Sequence, residues 1–274
     1  VRPYMVLDEG YFALSVEHLT KTIALVGVAE KGRMFCRVDV ALRGGHGSIP
    51  HTTAETDDVV ALSRALQRAV AQPHWSLPVR WTLQHVAAHL PFPLNTVVAS
   101  VPRLGRAGAW LFSLAGSKLS ALTHTTCALT ALSAGDPAVP NALPRSASLV
   151  FDVRTLPGDT FDTVAARVDA VVARFRPRFA DITVRWDDSH RVSGTVSPID
   201  DEQWRLLEQT IGQVFDGAVI TPALVPGGTD ASHYEQICSH VYRFLPLVCT
   251  MRQINAMHGV DECISVECLT HAVQ

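Results

Sequence analysis

Alternating or continuous apolar stretches predict strands in this chain, and apolar residues at helical spacing predict helices. Between residues 30 and 190 these patterns follow the order strand, helix, strand, strand, helix, strand. That order is typical of the ferredoxin-like arrangement, in which two helices cover one face of a four-stranded sheet. The predicted elements are strands at 34–42, 125–132, 147–154 and 182–186 and helices at 54–71 and 160–175.

The two ends of the chain carry a second pattern of strands and helices. Predicted strands lie at 3–7, 23–29, 219–224 and 241–244, with helices at 201–215 and from about 266. This pattern fits an α/β layer structure. We therefore predict an α/β domain made of 1–28 and 192–274, interrupted by the ferredoxin-like α+β domain at 29–191. A proline-rich stretch at about 73–118 predicts an irregular insertion with short helices.

The composition is that of a folded protein rather than a disordered one. The chain has 274 residues, of which 47% are hydrophobic and 18% charged, enough for a large core in two domains. It has 23 basic and 26 acidic residues and no basic tract, so we expect neither a nucleic acid nor a membrane as partner. The six cysteines form no Cys-x-x-Cys pair, which favours reduced thiols and a cytoplasmic location.

Two segments near the ends of the chain carry residues that can bind a metal ion. Asp8 and Glu9 follow the first predicted strand, where open α/β sheets commonly hold ligands, although a solvated turn would have the same pattern. His258 precedes Glu262 by four residues, so the carboxylate could orient an imidazole ligand. An ordinary surface histidine remains the alternative.

Three positions in the middle of the chain have the chemistry to hold a substrate. His46 lies in a glycine-rich loop and could donate a hydrogen bond to a developing oxyanion; a hairpin end is the alternative. Asn141 and Arg154 could hold a carboxylate, the arginine through its bidentate fork. A turn asparagine and an arginine at a strand end would give the same pattern.

A glycine-rich loop in the last third of the chain is a further candidate. Pro226-Gly227-Gly228-Thr229-Asp230 precedes a predicted helical stretch at 231–237. Helix N-termini favour anionic groups, so the loop could bind one. The alternative is a plain turn with a capping residue.

These motifs, in this order, resemble the M20 family of zinc amidohydrolases, in its carboxypeptidase S and aminoacylase-like branch. The resemblance covers essentially the whole chain. The matching strings are Leu7-Asp8-Glu9-Gly10, Ala24-Leu25-Val26-Gly27-Val28-Ala29-Glu30-Lys31-Gly32, Gly44-Gly45-His46-Gly47-Ser48-Ile49-Pro50, Asn141-Ala142-Leu143-Pro144, Arg154-Thr155-Leu156-Pro157-Gly158-Asp159, Pro226-Gly227-Gly228-Thr229-Asp230-Ala231, Tyr242-Arg243-Phe244-Leu245-Pro246-Leu247 and His258-Gly259-Val260-Asp261-Glu262.

The resemblance implies a hydrolase with a pair of zinc ions (Zn²⁺) in its complete active site. Its substrates would be N-acyl amino acids or short peptides with a free carboxylate. Asp8 would be a ligand of one zinc ion, with Glu9 as the alternative, and His258 a ligand of the other, supported by Glu262.

On the substrate side, the resemblance implies that His46 stabilises the oxyanion. Asn141 and Arg154 would hold the free carboxylate of the substrate, while Gly228 and Thr229 would line the pocket. The ferredoxin-like domain would act as a lid and as a dimerisation domain, so a homodimer is expected.

The sequence also departs from the family pattern. The family's His-x-Asp, its bridging aspartate and the Glu-Glu pair with the catalytic base have no counterpart here. We therefore expect that the family's N-terminal part is missing and that this chain alone is inactive. Tyr11 and Gly47 stand where glycine and serine are common, and Cys263 replaces a frequent arginine. A non-catalytic dimerisation or ligand-binding module derived from the family is the alternative function.

Overall fold

The computed structural model describes residues 2–15, 21–50, 55–187 and 194–273. The chain divides into two compact units, one of Val1–Lys31, Trp75–Thr123 and Gly194–Gln274 and one of Gly32–His74 and His124–Ser193. The elements in chain order are β1 (Val6–Ser15), β2 (Ile23–Glu30), β3 (Gly32–Ala41), β4 (Gly45–His46), α1 (Glu55–Val70), α2 (Leu77–Ala87), α3 (Leu94–Ser100), α4 (Gly105–Ser113), α5 (Ser117–Thr123), β5 (Thr126–Ala134), β6 (Ala142–Leu143), β7 (Ser146–Thr155), α6 (Phe161–Phe175), β8 (Asp181–Trp186), α7 (Glu202–Val214), β9 (Val219–Val225), β10 (Val241–Thr250), α8 (Met251–Ala256) and α9 (Val266–Val273).

The second unit has the predicted ferredoxin-like fold. Its main sheet has the strand order β5-β7-β3-β8, and all neighbouring strands are antiparallel. Alternate residues of β3 and β7 face α1 and α6, and the core includes Cys36, Leu62, Phe151 and Val168. The predicted start of the second helix is confirmed, because Thr160 is the N-cap of α6 and forms a capping box with Thr163.

The first unit has a mixed sheet, which is built from strands at both ends of the chain. The strand order is β1-β10-β2-β9, with β1 parallel to β10, β2 parallel to β9 and β10 antiparallel to β2. Helix α7 packs Trp204, Leu207 and Ile211 into a core with Val26 and Tyr242. The predicted strands at 219–224 and 241–244 are confirmed, and the second continues to Thr250.

The first strand corrects one prediction. Asp8 and Glu9 were expected just after a strand at 3–7, but β1 runs from Val6 to Ser15 and contains both. The apolar residues that follow them continue the strand, and the register against β10 shifts between Asp8 and Tyr11. Gly10, with a φ of 151°, absorbs this irregularity. The two carboxylates therefore do not occupy the strand-end position from which a ligand role was argued.

The insertion differs from its predicted domain. Trp75–Thr123 groups with the terminal segments rather than with the ferredoxin-like unit. The physical reason is that α2 packs on strand β9, where Thr82 Oγ1 donates to the carbonyl of Pro222 at 2.7 Å. The short helices predicted for this stretch are present as α2 to α5. The predicted start of the first helix at residue 54 and the domain boundary at 191–192 lie outside the described residues.

Candidate functional site

His46 and Asn141 are brought together in the ferredoxin-like unit by a two-stranded ladder. Strands β4 and β6 pair in antiparallel fashion, with His46 opposite Ala142. The backbone N–H of Gly47 donates to the carbonyl of Asn141 at 2.7 Å. A Cβ at position 47 would lie 3.2 Å from that oxygen, so a glycine at this position lets the two segments approach.

The hydrogen bonds of His46 define which of its ring nitrogens can donate. The backbone N–H of Ser48 donates to His46 Nδ1 at 3.2 Å. This bond favours the neutral tautomer with its proton on Nε2. Asn141 Nδ2 lies 3.5 Å from His46 Nε2, and both residues are exposed. Two N–H donors therefore lie side by side, and each could donate to an anionic group of a bound substrate.

Arg154 lies on β7, and its guanidinium is already paired. It donates to Asp152 through Nε at 2.8 Å and through Nη2 at 3.0 Å, a bidentate ion pair within one strand face. Both side chains are partly buried. Among the described residues, no hydrogen bond joins Arg154 to His46 or to Asn141. A substrate carboxylate at Arg154 would therefore share the guanidinium with Asp152 or displace it.

One carboxylate oxygen of Asp8, Oδ2, is inaccessible to solvent. None of the residues that the structure describes donates a hydrogen bond to it. Burying a carboxylate oxygen without a hydrogen-bond donor costs free energy. A metal cation bound to that oxygen would offset the cost. Glu9 points to the opposite side of β1 and is exposed. The geometry therefore fits Asp8, rather than Glu9, as a carboxylate ligand.

His258 lies in the turn after α8, is exposed, and has a positive φ of 59°. Its backbone N–H donates to Glu262 Oε2 at 3.1 Å. Glu262 thus holds the main chain of this turn, whereas the prediction had it orienting the imidazole. No cluster of three or more His, Cys, Asp or Glu side chains suited to a metal ion occurs among the residues that the structure describes.

The Gly228-Thr229 loop differs from its prediction as an anion-binding helix start. The helix expected at 231–237 is wrong, because only a short 3-10 helix at Asp230–His233 forms there. Thr229 caps it by accepting from the N–H of Ala231 at 3.2 Å. The Thr229 N–H and hydroxyl both donate to Glu30, at 3.2 and 2.5 Å. The backbone N–H of Thr229 is therefore already hydrogen-bonded within the protein, while Gly228 is exposed.

A buried ionic network supports this loop and was not recognised in the sequence. Arg243 is completely buried and donates to Glu30 Oε1 at 2.9 Å and to Glu235 Oε1 at 2.5 Å. Burial raises the pKa of Glu235, and the Arg243 charge opposes that rise. The sequence does contain a signal for this network: Glu30 and Arg243 each lie in an otherwise apolar strand, and a buried charge needs a partner of opposite sign.

Two glycines make room for Arg243 in the sheet. A Cβ at Gly27 would lie 2.5 Å from Val225 Cγ2 and 3.0 Å from Arg243 Cβ. A Cβ at Gly10 would lie 2.6 Å from the same Arg243 Cβ. A side chain at either position would collide with the residues that hold the network.

Comparison with known proteins connects this fold to a set of hydrolases. The family model described as the peptidase dimerisation domain of the M20 type matches residues 28–179. The human N-fatty-acyl-amino acid synthase/hydrolase PM20D1 is 31% identical over 275 residues, which covers 96% of this chain and 52% of that protein. The probable carboxypeptidase S-like 2 of Dictyostelium discoideum is 30% identical over 272 residues, covering 96% of this chain and 49% of that protein.

Among solved structures, the dipeptidase Dug1p from Saccharomyces cerevisiae superposes with a TM-score of 0.57 at 13% identity. The superposition covers 97% of this chain and 57% of that one. At this identity the likeness concerns the fold. The chain spans about half the length of the curated relatives that it matches.

Proposed function

Because this chain belongs to the M20 peptidase family, we propose that it is part of a metal-dependent hydrolase acting on N-acyl amino acids or short peptides with a free carboxylate. The names of the relatives support this reaction, since they include an N-fatty-acyl-amino acid hydrolase and a carboxypeptidase. Those relatives are about twice as long, so the activity is proposed for a longer protein that contains this chain. The chain alone is expected to be inactive.

The observation that carries the proposal is the pair of donors at His46 Nε2 and Asn141 Nδ2, 3.5 Å apart. Hydrolysis of an amide passes through a tetrahedral intermediate with a negatively charged oxygen, and fixed N–H donors stabilise that oxygen. His46 is proposed to donate to this oxyanion. Asn141 and Arg154 are proposed to hold the substrate carboxylate, with the arginine fork already oriented by Asp152.

On the metal side, we propose that Asp8 provides a carboxylate ligand and His258 an imidazole ligand of a zinc site. When bound, paired zinc ions would supply a hydroxide near neutral pH and polarise the scissile carbonyl. The buried Oδ2 of Asp8, to which none of the described residues donates, supports its role. Gly228 is proposed to line the pocket with Thr229, and Glu30 would keep the Thr229 backbone in place. The cytoplasmic location predicted from the cysteines stays part of this proposal.

We also propose that the ferredoxin-like unit forms a homodimer through β5 and α1. Strand β5 is at one edge of its sheet, and its outer residues, including Leu132, are exposed. Val60 on α1 is exposed as well. A strand at the edge of a sheet, beside an exposed apolar helix position, is a surface that a second copy can extend. Sedimentation that finds only monomers at micromolar concentration would count against this dimer, and Leu132→Lys should weaken it.

The reaction is tested with a longer protein that contains this chain. Stoichiometric zinc together with turnover of an N-acyl amino acid is the expected result. The matched variant Asp8→Asn should lose zinc and activity together, because the amide is a poorer metal ligand of the same size. A protein that binds no zinc and hydrolyses none of these amides would instead be the non-catalytic module.

A further inference from the structure

We propose that the helical segment Trp75–Thr123 carries a surface that binds an anionic lipid interface, with α4 lying in the plane of the headgroups. The proposal is independent of the hydrolase reaction. It rests on which side chains α4 exposes, on how its other face is fixed, and on the charge of the segment.

The exposed side of α4 and of the turn before it is apolar. Leu104, Trp110, Leu111 and Leu114 are 58%, 52%, 51% and 64% exposed. Trp110, Leu111 and Leu114 lie at i, i+1 and i+4, on one face of α4, so they form a stripe. Leu104 belongs to the turn before the helix. The preceding helix α3 adds exposed Leu94 and Val97, with Phe92 just before it. Large apolar side chains at this density on a surface mark an interaction site.

The opposite side of α4 is fixed to the protein, which keeps the stripe facing outward. Gly108 and Ala109 are buried, and a Cβ at Gly108 would lie 2.3 Å from the carbonyl of Val101. Trp75 Nε1 donates to the carbonyl of Gly105 at 2.8 Å, and its ring lies 5.4 Å from that of Phe112. Turning the helix to bury the stripe would break these contacts.

The charge of the segment selects the kind of surface it can bind. Trp75–Thr123 contains Arg80, Arg103, Arg106 and Lys118 and not one Asp or Glu, whereas the remaining 225 residues carry 19 basic and 26 acidic groups. Arg103 and Arg106 are exposed at the start of the apolar stripe. The expectation of no membrane partner rested on the lack of a basic tract in the chain as a whole, whereas the local lack of acids in this segment favours an anionic surface.

Apolar residues with a Trp, flanked by arginines and free of acids, are the combination found in helices that lie in the membrane interface. The apolar side chains enter the headgroup boundary while the cations contact anionic lipids. No helix among the described residues is long and apolar enough to cross a membrane. Pairing with the same segment of a second copy would bring like charges together, so we favour the lipid surface over self-association.

The test is co-sedimentation of the 274-residue chain with two kinds of vesicle. One kind contains phosphatidylcholine alone, and the other contains equal parts of phosphatidylcholine and phosphatidylserine. Preferential binding to the anionic vesicles is expected. Leu114→Gln with Trp110→Gln should reduce this binding at least tenfold, because two large apolar side chains are lost. Arg103→Gln should reduce it about fivefold, as expected for one cation at an anionic surface.

Leu206→Gln is the matched control, since Leu206 is also exposed but lies on α7 outside the segment. It should leave vesicle binding unchanged. Trp110 emission should also shift to shorter wavelength with anionic vesicles, by comparison with Trp110→Phe. Equal binding to both vesicles, no binding, or equal losses in the α4 and Leu206 variants would overturn the proposal. So would a stripe-dependent oligomer that forms without lipid, because it would assign the surface to a second copy.

Discussion

Arg243 donates from Nε to Glu30 Oε1 at 2.9 Å, and both side chains are almost completely buried, although 213 residues separate them in the sequence. This ion pair joins the end of β2 to the first residues of β10. Through the second oxygen of Glu30 it also holds the backbone N–H of Thr229. The stability of the sheet and the position of a proposed substrate loop therefore depend on one buried carboxylate.

Glu30→Gln should destabilise the protein by about 3 kcal/mol, because it leaves the buried Arg243 with a single carboxylate partner. The free energy of unfolding in urea measures this. Asp181→Asn is the matched control, since Asp181 pairs with Arg176 on the surface and should cost less than about 1 kcal/mol. Equal effects of the two substitutions would contradict the role assigned to the buried network.

Gly27→Ala should also destabilise the protein, by about 1–3 kcal/mol, because its Cβ would collide with Val225 and Arg243. Gly227→Ala is a suitable comparison, since a Cβ there would have no heavy atom within 4 Å, and its effect should be below about 0.5 kcal/mol. Thermal unfolding of the two variants provides the measurement. A neutral Gly27→Ala would show that the strands separate readily at this point.

The ferredoxin-like unit should lose stability in alkali. Burial raises the pKa of the Cys36 thiol to about 12, with smaller contributions from Cys127 and Asp169. The folded protein keeps this thiol neutral, whereas the unfolded chain ionises it above the ordinary thiol pKa of about 8.5. The free energy of unfolding is therefore unaffected below about pH 8.5 and falls as pH rises from there towards 12. In Cys36→Ala the decline of the urea midpoint above pH 8.5 should be shallower. Cys263→Ala, at an exposed thiol, should keep the original slope.

His46→Ala, in a longer protein with hydrolase activity, should lower kcat by about 10²–10³-fold with a smaller change in KM. The reason is loss of a donor that acts on charge developing in the transition state. His89→Ala serves as control because His89 is exposed on the helical segment and has no proposed role. A change confined to KM would assign His46 to substrate binding alone.

The sequence predicted the ferredoxin-like unit well because its strands and helices carry local patterns. Alternation in β3 and β7 defines the buried face, and Thr160 marks the start of α6. The residues around Asp8 were harder, since the strand continues past a bulge at Gly10 that no local pattern reveals.

Side-chain partners distant in the sequence explain most of what was missed. The strings containing Glu30 and Arg243 were part of the family resemblance, but nothing local indicates that one pairs with the other. The ion pair of Arg154 with Asp152 is different, because the two residues lie two positions apart on one strand face and the sequence does carry a signal for it. The His46–Asn141 contact depends on a two-residue ladder too short to recognise from periodicity.

The central claim is that this chain orients a substrate by its free carboxylate, with Arg154 as the bidentate donor. The most direct measurement is kcat/KM of the longer protein for an N-acyl amino acid and for the matching amide that lacks the carboxylate. Wild type should prefer the acid by about 10²-fold or more, and Arg154→Ala should abolish most of that preference. Equal rates on both compounds in wild type, or an unchanged preference in Arg154→Ala, would contradict the account.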